Sequence, residues 1–223
     1  MTDDVLWLRE ERPRPSRRAT PLTLERIISA AVAALDSDGA ERLTMRRLAE
    51  RLEVTSTALY WHVSTKEDLL ALALDHIVGE VPVPAPQASP RAGIRALLLG
   101  WRAAMLAHPW SPALLGRPLL GPHVLARTEY LQAALLRSGL DGADLAAARQ
   151  TLVSFVLGAS MADATWRRLG DPDVIAKVRA HILGSAERYP ALSTSGFTDA
   201  RWSDDDLFDT GLNHLLDQLI PAP

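Results

Sequence analysis

Apolar residues recur along this chain with the 3.6-residue period of helices, and nowhere do they alternate for long enough to suggest a strand. Leu24, Ile27, Ile28, Ala31 and Leu35 fall on one stripe. Thr23 suits an N-cap and Gly39 a C-terminal stop, so a first helix is predicted over 24–38. Thr44 opens a second, short helix with Met45, Leu48, Ala49 and Leu52 on its apolar face. After Glu53-Val54-Thr55 a third short helix is expected over Ser56–His62. Ser64-Thr65-Lys66-Glu67 has the S-x-x-E form of a capping box and precedes the apolar run Leu69–Val78, which predicts a fourth helix. The expected fold class is all-α.

The stretch Gly79–Gly93 breaks the pattern. Pro82, Pro84, Pro86 and Pro90 favour extended backbone and forbid a continuous helix, so the domain boundary belongs here. The expected organisation is a flexible basic arm over 1–20, a helical domain over 21–80 and a second one over 81–223. Helix 4 is then the only regular element that joins the two domains. Beyond the boundary, helices are expected near 91–107, 110–115, 122–138, 142–169, 172–188 and 204–220. Pro122 after Gly121 and Pro172 after Asp171 fit first helical positions, and Asp204-Asp205-Asp206 places acids in a first turn. The polar segment Ala191–Trp202 reads as a loop.

Composition narrows the function. With 223 residues, 48% of them hydrophobic, the chain can bury a sizeable core. It has no cysteine, which excludes disulfides, thiolate metal sites and cysteine nucleophiles. The start of the chain lacks the apolar core of a signal peptide, and the longest uncharged runs (150–162 and 103–116) are too short to span a bilayer. A soluble, cytoplasmic protein is expected. Net charge is −3, yet it is unevenly spread: positions 1–66 hold 11 basic and 10 acidic residues, leaving 13 and 17 for the rest. That asymmetry permits a nucleic-acid partner without demanding one. Arg12–Arg18 carries four arginines and no acid, and fits either a minor-groove arm or a solvated tail.

Two short helices separated by three residues and packed under a preceding helix describe a helix-turn-helix. In that arrangement helix 3 offers its polar face to the major groove. Leu59 faces the core, while Ser56, Thr57 and Ala58 are small enough to let the helix approach base edges. Tyr60, His62 and Lys66 can reach phosphates, and Arg46 can reach a guanine edge or a phosphate. Taken singly, Tyr60 and Trp61 would equally cap a small core, and Arg46 would be a solvated helix face; the combined spacing carries the DNA reading.

At this point the residues resemble a known family. L-T-M-R-R-L-A-E-R-L-E-V-T-S-T-A-L-Y-W-H-V-S-T-K-E-D-L-L, within residues 22–78, is similar to the DNA-binding domain of the tetracycline-repressor family. The resemblance implies that Arg46, Ser56, Thr57, Ala58, Tyr60, Trp61, His62 and Lys66 line the DNA. Glu53 departs from the family, which usually has glycine in this turn; a left-handed backbone there would cost glutamate about 1 kcal/mol. His108-Pro109-Trp110, Gly116-Arg117-Pro118, Gly121-Pro122 and Phe155-Val156-Leu157-Gly158 resemble the family's effector-binding domain. That implies dimerisation through helices near 142–169 and 204–220 and a pocket for a small molecule. Trp101, Met105, Trp110, Phe155, Met161 and Trp166, with His123 as a polar handle, are the candidates to line it, and they suit an apolar or aromatic effector. The same side chains would serve equally as plain core. The histidines with which the tetracycline repressor holds its drug's magnesium align with Ala113 and Ser154, so no metal or cofactor is expected.

The expected function is therefore a ligand-responsive transcriptional regulator, by its resemblance a repressor, that binds palindromic operator DNA as a homodimer and is released by its effector. Whether it represses or activates is not written in the sequence. The alternative is a helical scaffold or partner-binding protein whose helix-turn-helix merely packs. Enzyme signatures are missing: there is no H-E-x-x-H, phosphate loop or G-x-G-x-x-G, and Gly158-Ala159-Ser160-Met161-Ala162 falls short of a nucleophile elbow.

Overall fold

The computed structural model describes residues 21–85, 89–114, 120–169, 172–194 and 204–220, without the side chains of 166–169, 172 and 175. The basic arm expected over 1–20 lies outside the described residues. Among the described residues every regular element is helical.

Four helices form the N-terminal part, and a threonine opens each. α1 (Leu24–Asp38) is capped by Thr23, α2 (Met45–Leu52) by Thr44, α3 (Ser56–Tyr60) by Thr55 and α4 (Lys66–Gly79) by Thr65. In every case the hydroxyl accepts an amide hydrogen bond from the first turn, removing one otherwise orphaned donor. α3 ends two residues sooner than expected. The amides of His62 and Val63 both turn back onto the Leu59 carbonyl, because the chain must leave the helix there to bury Val63. The capping box sits one residue later than the S-x-x-E pattern suggested. Thr65 accepts from the Asp68 amide at 3.0 Å, and the Asp68 carboxylate accepts from the Thr65 amide at 3.1 Å. Ile27, Leu35, Leu48, Leu59, Leu69, Leu74 and Ile77 fill the core between these helices.

The C-terminal part contains α5 (Pro90–Ala107), α6 (Pro122–Arg137), α7 (Gly142–Leu169), α8 (Pro172–Gly184), α9 (Pro190–Thr194) and α10 (Asp204–Leu219). The break in the pattern is shorter than Gly79–Gly93, since Gly79 ends α4 and Gly93 lies inside α5. The helix expected near 110–115 is a single 3-10 turn over Pro112–Leu114. α8 stops at Gly184 and passes into hydrogen-bonded turns instead of continuing to 188, and α9 occupies the first part of the expected loop. α5, α6, α7 and α10 enclose a second core of Ile94, Leu97, Leu98, Leu131, Leu135, Leu152, Val156, Leu212 and Leu216.

Charge joins α5 to α10. Arg91 bonds Asp217 at 2.6 Å, Arg95 bonds Asp209, and Arg102 bonds Asp205 at 2.5 Å. Asp205, in the first turn of α10, thus answers Arg102 as well as the helix dipole, while Asp209 and Asp217 further along answer Arg95 and Arg91. Arg102 is only 8% exposed and also bonds Asp163 of α7 at 2.6 Å, with its guanidinium over the Phe208 ring. Burial works against its charge, but the hydrogen bonds to Asp205 and Asp163 outweigh it and raise its pKa.

Gly93 is required by packing. A Cβ there would lie 2.0 Å from the hydroxyl of Tyr130, itself buried without a hydrogen-bond partner. Gly93→Ala should therefore destabilise by about 1–3 kcal/mol through overpacking, despite gaining roughly 1 kcal/mol of helix propensity. Tyr130→Phe removes the offending oxygen and should recover most of that loss in the double variant. Urea unfolding of the four proteins tests this; a double variant no more stable than Gly93→Ala would refute the packing argument.

Candidate nucleic-acid interface and effector domain

The turn between α2 and α3 is set by Glu53, whose backbone is left-handed (φ 57°, ψ 39°) and whose amide returns to the Ala49 and Glu50 carbonyls. The strain foreseen for a non-glycine residue is therefore present. α3 is anchored by Leu59, which is fully buried, and by Val63 just beyond it. With those two inward, Thr57, Tyr60, Trp61 and His62 are exposed, and Ser56 and Ala58 are half-buried beside them. Trp61 is 85% exposed, so it is not a cap on the small core. Arg46 is also exposed, one turn from its ion-pair partner Glu50 at 3.0 Å. The residues expected to face DNA are thus exposed or half-buried, and one of them is tied elsewhere. Lys66 is half-buried, and its ammonium donates to the Ala40 carbonyl at 3.0 Å, tying α4 to the loop after α1.

The expected effector residues separate. Trp101 and Met105 are buried in the second core, and Phe155 packs against it, stacked on Phe208 at 5.1 Å. Trp110 instead fills the core of α1–α4 and donates its indole N–H to Asp36 at 2.7 Å. His123 is exposed and lies against Gly79 at the end of α4, since a Cβ on Gly79 would meet its ring at 3.0 Å. Met161 is 49% exposed on the outer side of α7. The side chain of Trp166 lies outside the described residues. Helical spacing alone does not tell which core a residue joins, and Trp110 crosses to the other one because the chain doubles back after α5. Among the described residues, α4 with the start of α6, and α5 with α10, each border a crevice. One of about 310 Å³ is lined by Asp68, Leu72, Asp75, Leu120 and Pro122; one of about 520 Å³ by Arg95, Leu99, Arg102, Phe208 and Asp209.

Two residues that the sequence reading passed over join the halves. Asp75, on α4, is buried, and its carboxylate accepts from the backbone amides of Val124 at 2.9 Å and His123 at 3.3 Å, at the N-terminus of α6. Gly121 makes that approach possible: a Cβ on it would stand 2.2 Å from the Asp75 carboxyl carbon. Arg127, also buried, donates to the carbonyls of Val81 (2.8 Å), Gly79 (2.7 Å) and His123 (3.1 Å), closing the end of α4. Burial lowers its pKa, and the nearby Asp75 charge opposes that. The one signal in the sequence was an acid inside the apolar run Leu69–Val78.

A helix-turn-helix with exposed polar residues, followed by a larger helical bundle, is the arrangement of a DNA-binding regulator. Residues 27–73 match the bacterial regulatory proteins of the tetR family, and residues 83–219 match the tetracyclin repressor-like C-terminal domain. The chain belongs to the tetR family. It is 42% identical over 191 residues to an HTH-type transcriptional regulator of Saccharopolyspora erythraea, covering 85% of this chain and 80% of that one. It is 32% identical to the HTH-type transcriptional repressor DrrR1 of Streptomyces coeruleorubidus, covering 98% and 84%. Its fold matches that of Streptomyces coelicolor ActR in complex with actinorhodin, with a TM-score of 0.81 and 26% identity over 90% of this chain and 97% of that one. The relatives are transcriptional regulators, not enzymes, and regulation by a ligand is a property of the family.

The exposure of Trp61 separates its two readings. Trp61→Ala should leave stability within about 0.5 kcal/mol of the wild type while weakening DNA binding on the order of tenfold, or about 1.4 kcal/mol. Urea unfolding and fluorescence anisotropy on DNA selected from a random pool would check both. A large loss of stability with unchanged affinity would mean that Trp61 belongs to the core.

Proposed function

We propose that this protein is a homodimeric repressor that binds a palindromic operator with one α3 per subunit and is released by a small apolar or aromatic effector. The observation that carries this reading is the exposure of Arg46, Thr57, Tyr60, Trp61 and His62, with Ser56 and Ala58 half-buried beside them, on a helix-turn-helix whose Leu59 and Val63 are buried. Residues 21–80 then form the reading domain and 81–223 the sensing and dimerisation domain. Lys66, whose ammonium keeps donors beyond the one given to Ala40, approaches a phosphate from the start of α4.

Dimerisation follows from apolar surface left over on α7 and α10. Over Gly142–Thr165, α7 is long and apolar enough, by length and composition alone, to cross a membrane. One of its faces packs into the second core. The other exposes Gly158, Met161 and Ala162, and the neighbouring α10 exposes Leu207. A second copy related by a two-fold axis covers both faces as a four-helix bundle. Met161→Glu should shift the protein from dimer to monomer in multi-angle light scattering at micromolar concentration. A wild type that is already monomeric there would sink the dimer and, with it, the palindrome.

The effector reading rests on Trp101 Nε1, Tyr130 Oη and Ser160 Oγ, polar atoms buried on α5, α6 and α7 without hydrogen-bond partners. A buried donor left unmade costs about 1–3 kcal/mol, which an effector bearing oxygen acceptors on an aromatic frame would restore. ActR, of similar fold, is seen with actinorhodin. An effector that displaces α6 carries α4 with it through Asp75 and Arg127, and so changes the spacing of the two recognition helices. It can do so only as far as it prefers one orientation to the other. Coupling of about 1–3 kcal/mol would weaken operator binding roughly 5- to 150-fold, and operator would weaken the effector equally. Calorimetry of an effector found by thermal-shift screening, with and without operator, tests this; equal affinities would show that the site is uncoupled.

A further inference from the structure

α4 is not the only tie between the halves. His108 caps the C-terminus of α5, its amide bonded to Ala104, and its side chain is 11% exposed. Ring Nδ1 lies 2.8 Å from Asp36 in the last turn of α1, and Nε2 lies 3.2 Å from Glu80, the residue that caps α4. Two residues on, the Trp110 indole donates to the same Asp36 oxygen, and Leu114 packs against the core of α1–α4. The segment from His108 to Leu114 is thus a strap from the sensing domain seated in the reading domain.

The chemistry of the ring is decided by its neighbours. A neutral imidazole has one donor nitrogen and one acceptor, whereas each nitrogen here faces a carboxylate. Both contacts are satisfied only when both nitrogens carry protons. The C-terminal end of α5 favours a cation at the same place. Asp36 reaches it from α1 and Glu80 from the end of α4, where Arg127 holds the carbonyls of Gly79 and Val81.

We propose that His108 is a positioning residue for the reading domain: as an imidazolium clasped by Asp36 and Glu80 it locks α1 and α4 onto the end of α5, and loss of its proton frees the domain to pivot about the Asp75–α6 contact. Burial by itself would lower the histidine's pKa, but the hydrogen bonds to Asp36 and Glu80 prevail and raise it. The folded state therefore prefers the protonated ring. The lock is at full strength below the ordinary histidine value near 6.5 and is lost as pH rises through the raised one. This inference does not depend on the effector or the operator, since the lock lies within one subunit.

The absence of cysteine allows a clean test. Nitroxides at Ser29→Cys on α1 and Glu129→Cys on α6, both exposed, report the distance between the domains in the full-length protein, diluted with unlabelled subunits and free of DNA. Pulsed dipolar spectra would be recorded from about one unit below to about two units above 6.5. The expected distance distribution is narrow at low pH and broadens with a single midpoint above 6.5. In His108→Gln the width no longer responds to pH. In Glu80→Gln, which keeps the histidine but removes one carboxylate, the midpoint moves down by about one unit. A wild-type width that stays constant across the range would overturn the proposal. So would broadening with an unchanged midpoint in Glu80→Gln, or broadening that persists in His108→Gln.

Discussion

Asp75 stands in the middle of the face that α4 turns toward α6, where the surrounding pattern calls for an apolar side chain. A carboxylate buried there is costly unless its oxygens are hydrogen-bonded. It is held by two free amides at the first turn of α6, where the helix dipole is positive. The arrangement leaves no space for a side chain at position 121, and it draws the start of α6 against α4. Arg127, one turn further along α6, then reaches the carbonyls of Gly79, the last residue of α4, and of Val81 just beyond it, which would otherwise be orphaned at a helix end. Each half of this exchange satisfies what the other helix lacks. The direction in which α4 leaves the reading domain, and hence the placement of α3, depends on it.

The electrostatics of the sensing domain have the same character. α5 offers Arg91, Arg95 and Arg102 to α10, and α10 answers with Asp217, Asp209 and Asp205. The outer pairs are partly exposed, and such pairs are worth at most about 1 kcal/mol each. The inner one is different: Arg102 is shared between Asp163, Asp205 and the face of Phe208, so three helices meet on one cation. The excess acid of the C-terminal part is thus committed in part to its own interior.

The helices could be read from the sequence because they are local. Period, threonine caps and prolines at first positions define α1, α2, α4, α5, α6 and α7 without reference to anything distant. Errors arose where a long-range demand overrode a local one: α3 ends early to bury Val63. The exposure of the set proposed to face DNA was legible for the same reason, since four of its members lie on α3 and two directly follow it. Lys66 is the exception, because its partner lies 26 residues away. The sensing domain was less legible. Trp101 and Trp110 look alike in sequence, and only the path of the chain after α5 assigns them to different cores. Asp75, Arg102, His108 and Arg127 act through partners between 28 and 103 residues away, a distance that no periodicity can report.

These distant polar contacts bracket one stretch of chain. The connection from α5 to α6 is tied to the reading domain at its start by His108 and Trp110, and at its end by the amides that Asp75 accepts. An apolar interface of the same extent would tolerate many nearly equivalent packings, whereas charge-assisted hydrogen bonds are either made or broken. Losing one in a buried setting costs about 1–3 kcal/mol. That is also the usual size of coupling between two ligand sites. A domain held by a few such contacts is rigid enough to present α3 in register, yet the binding energy of a small molecule is enough to release it. Joints of this kind suit the proposed release by an effector, which requires two discrete positions of the reading domain and not a continuum of them.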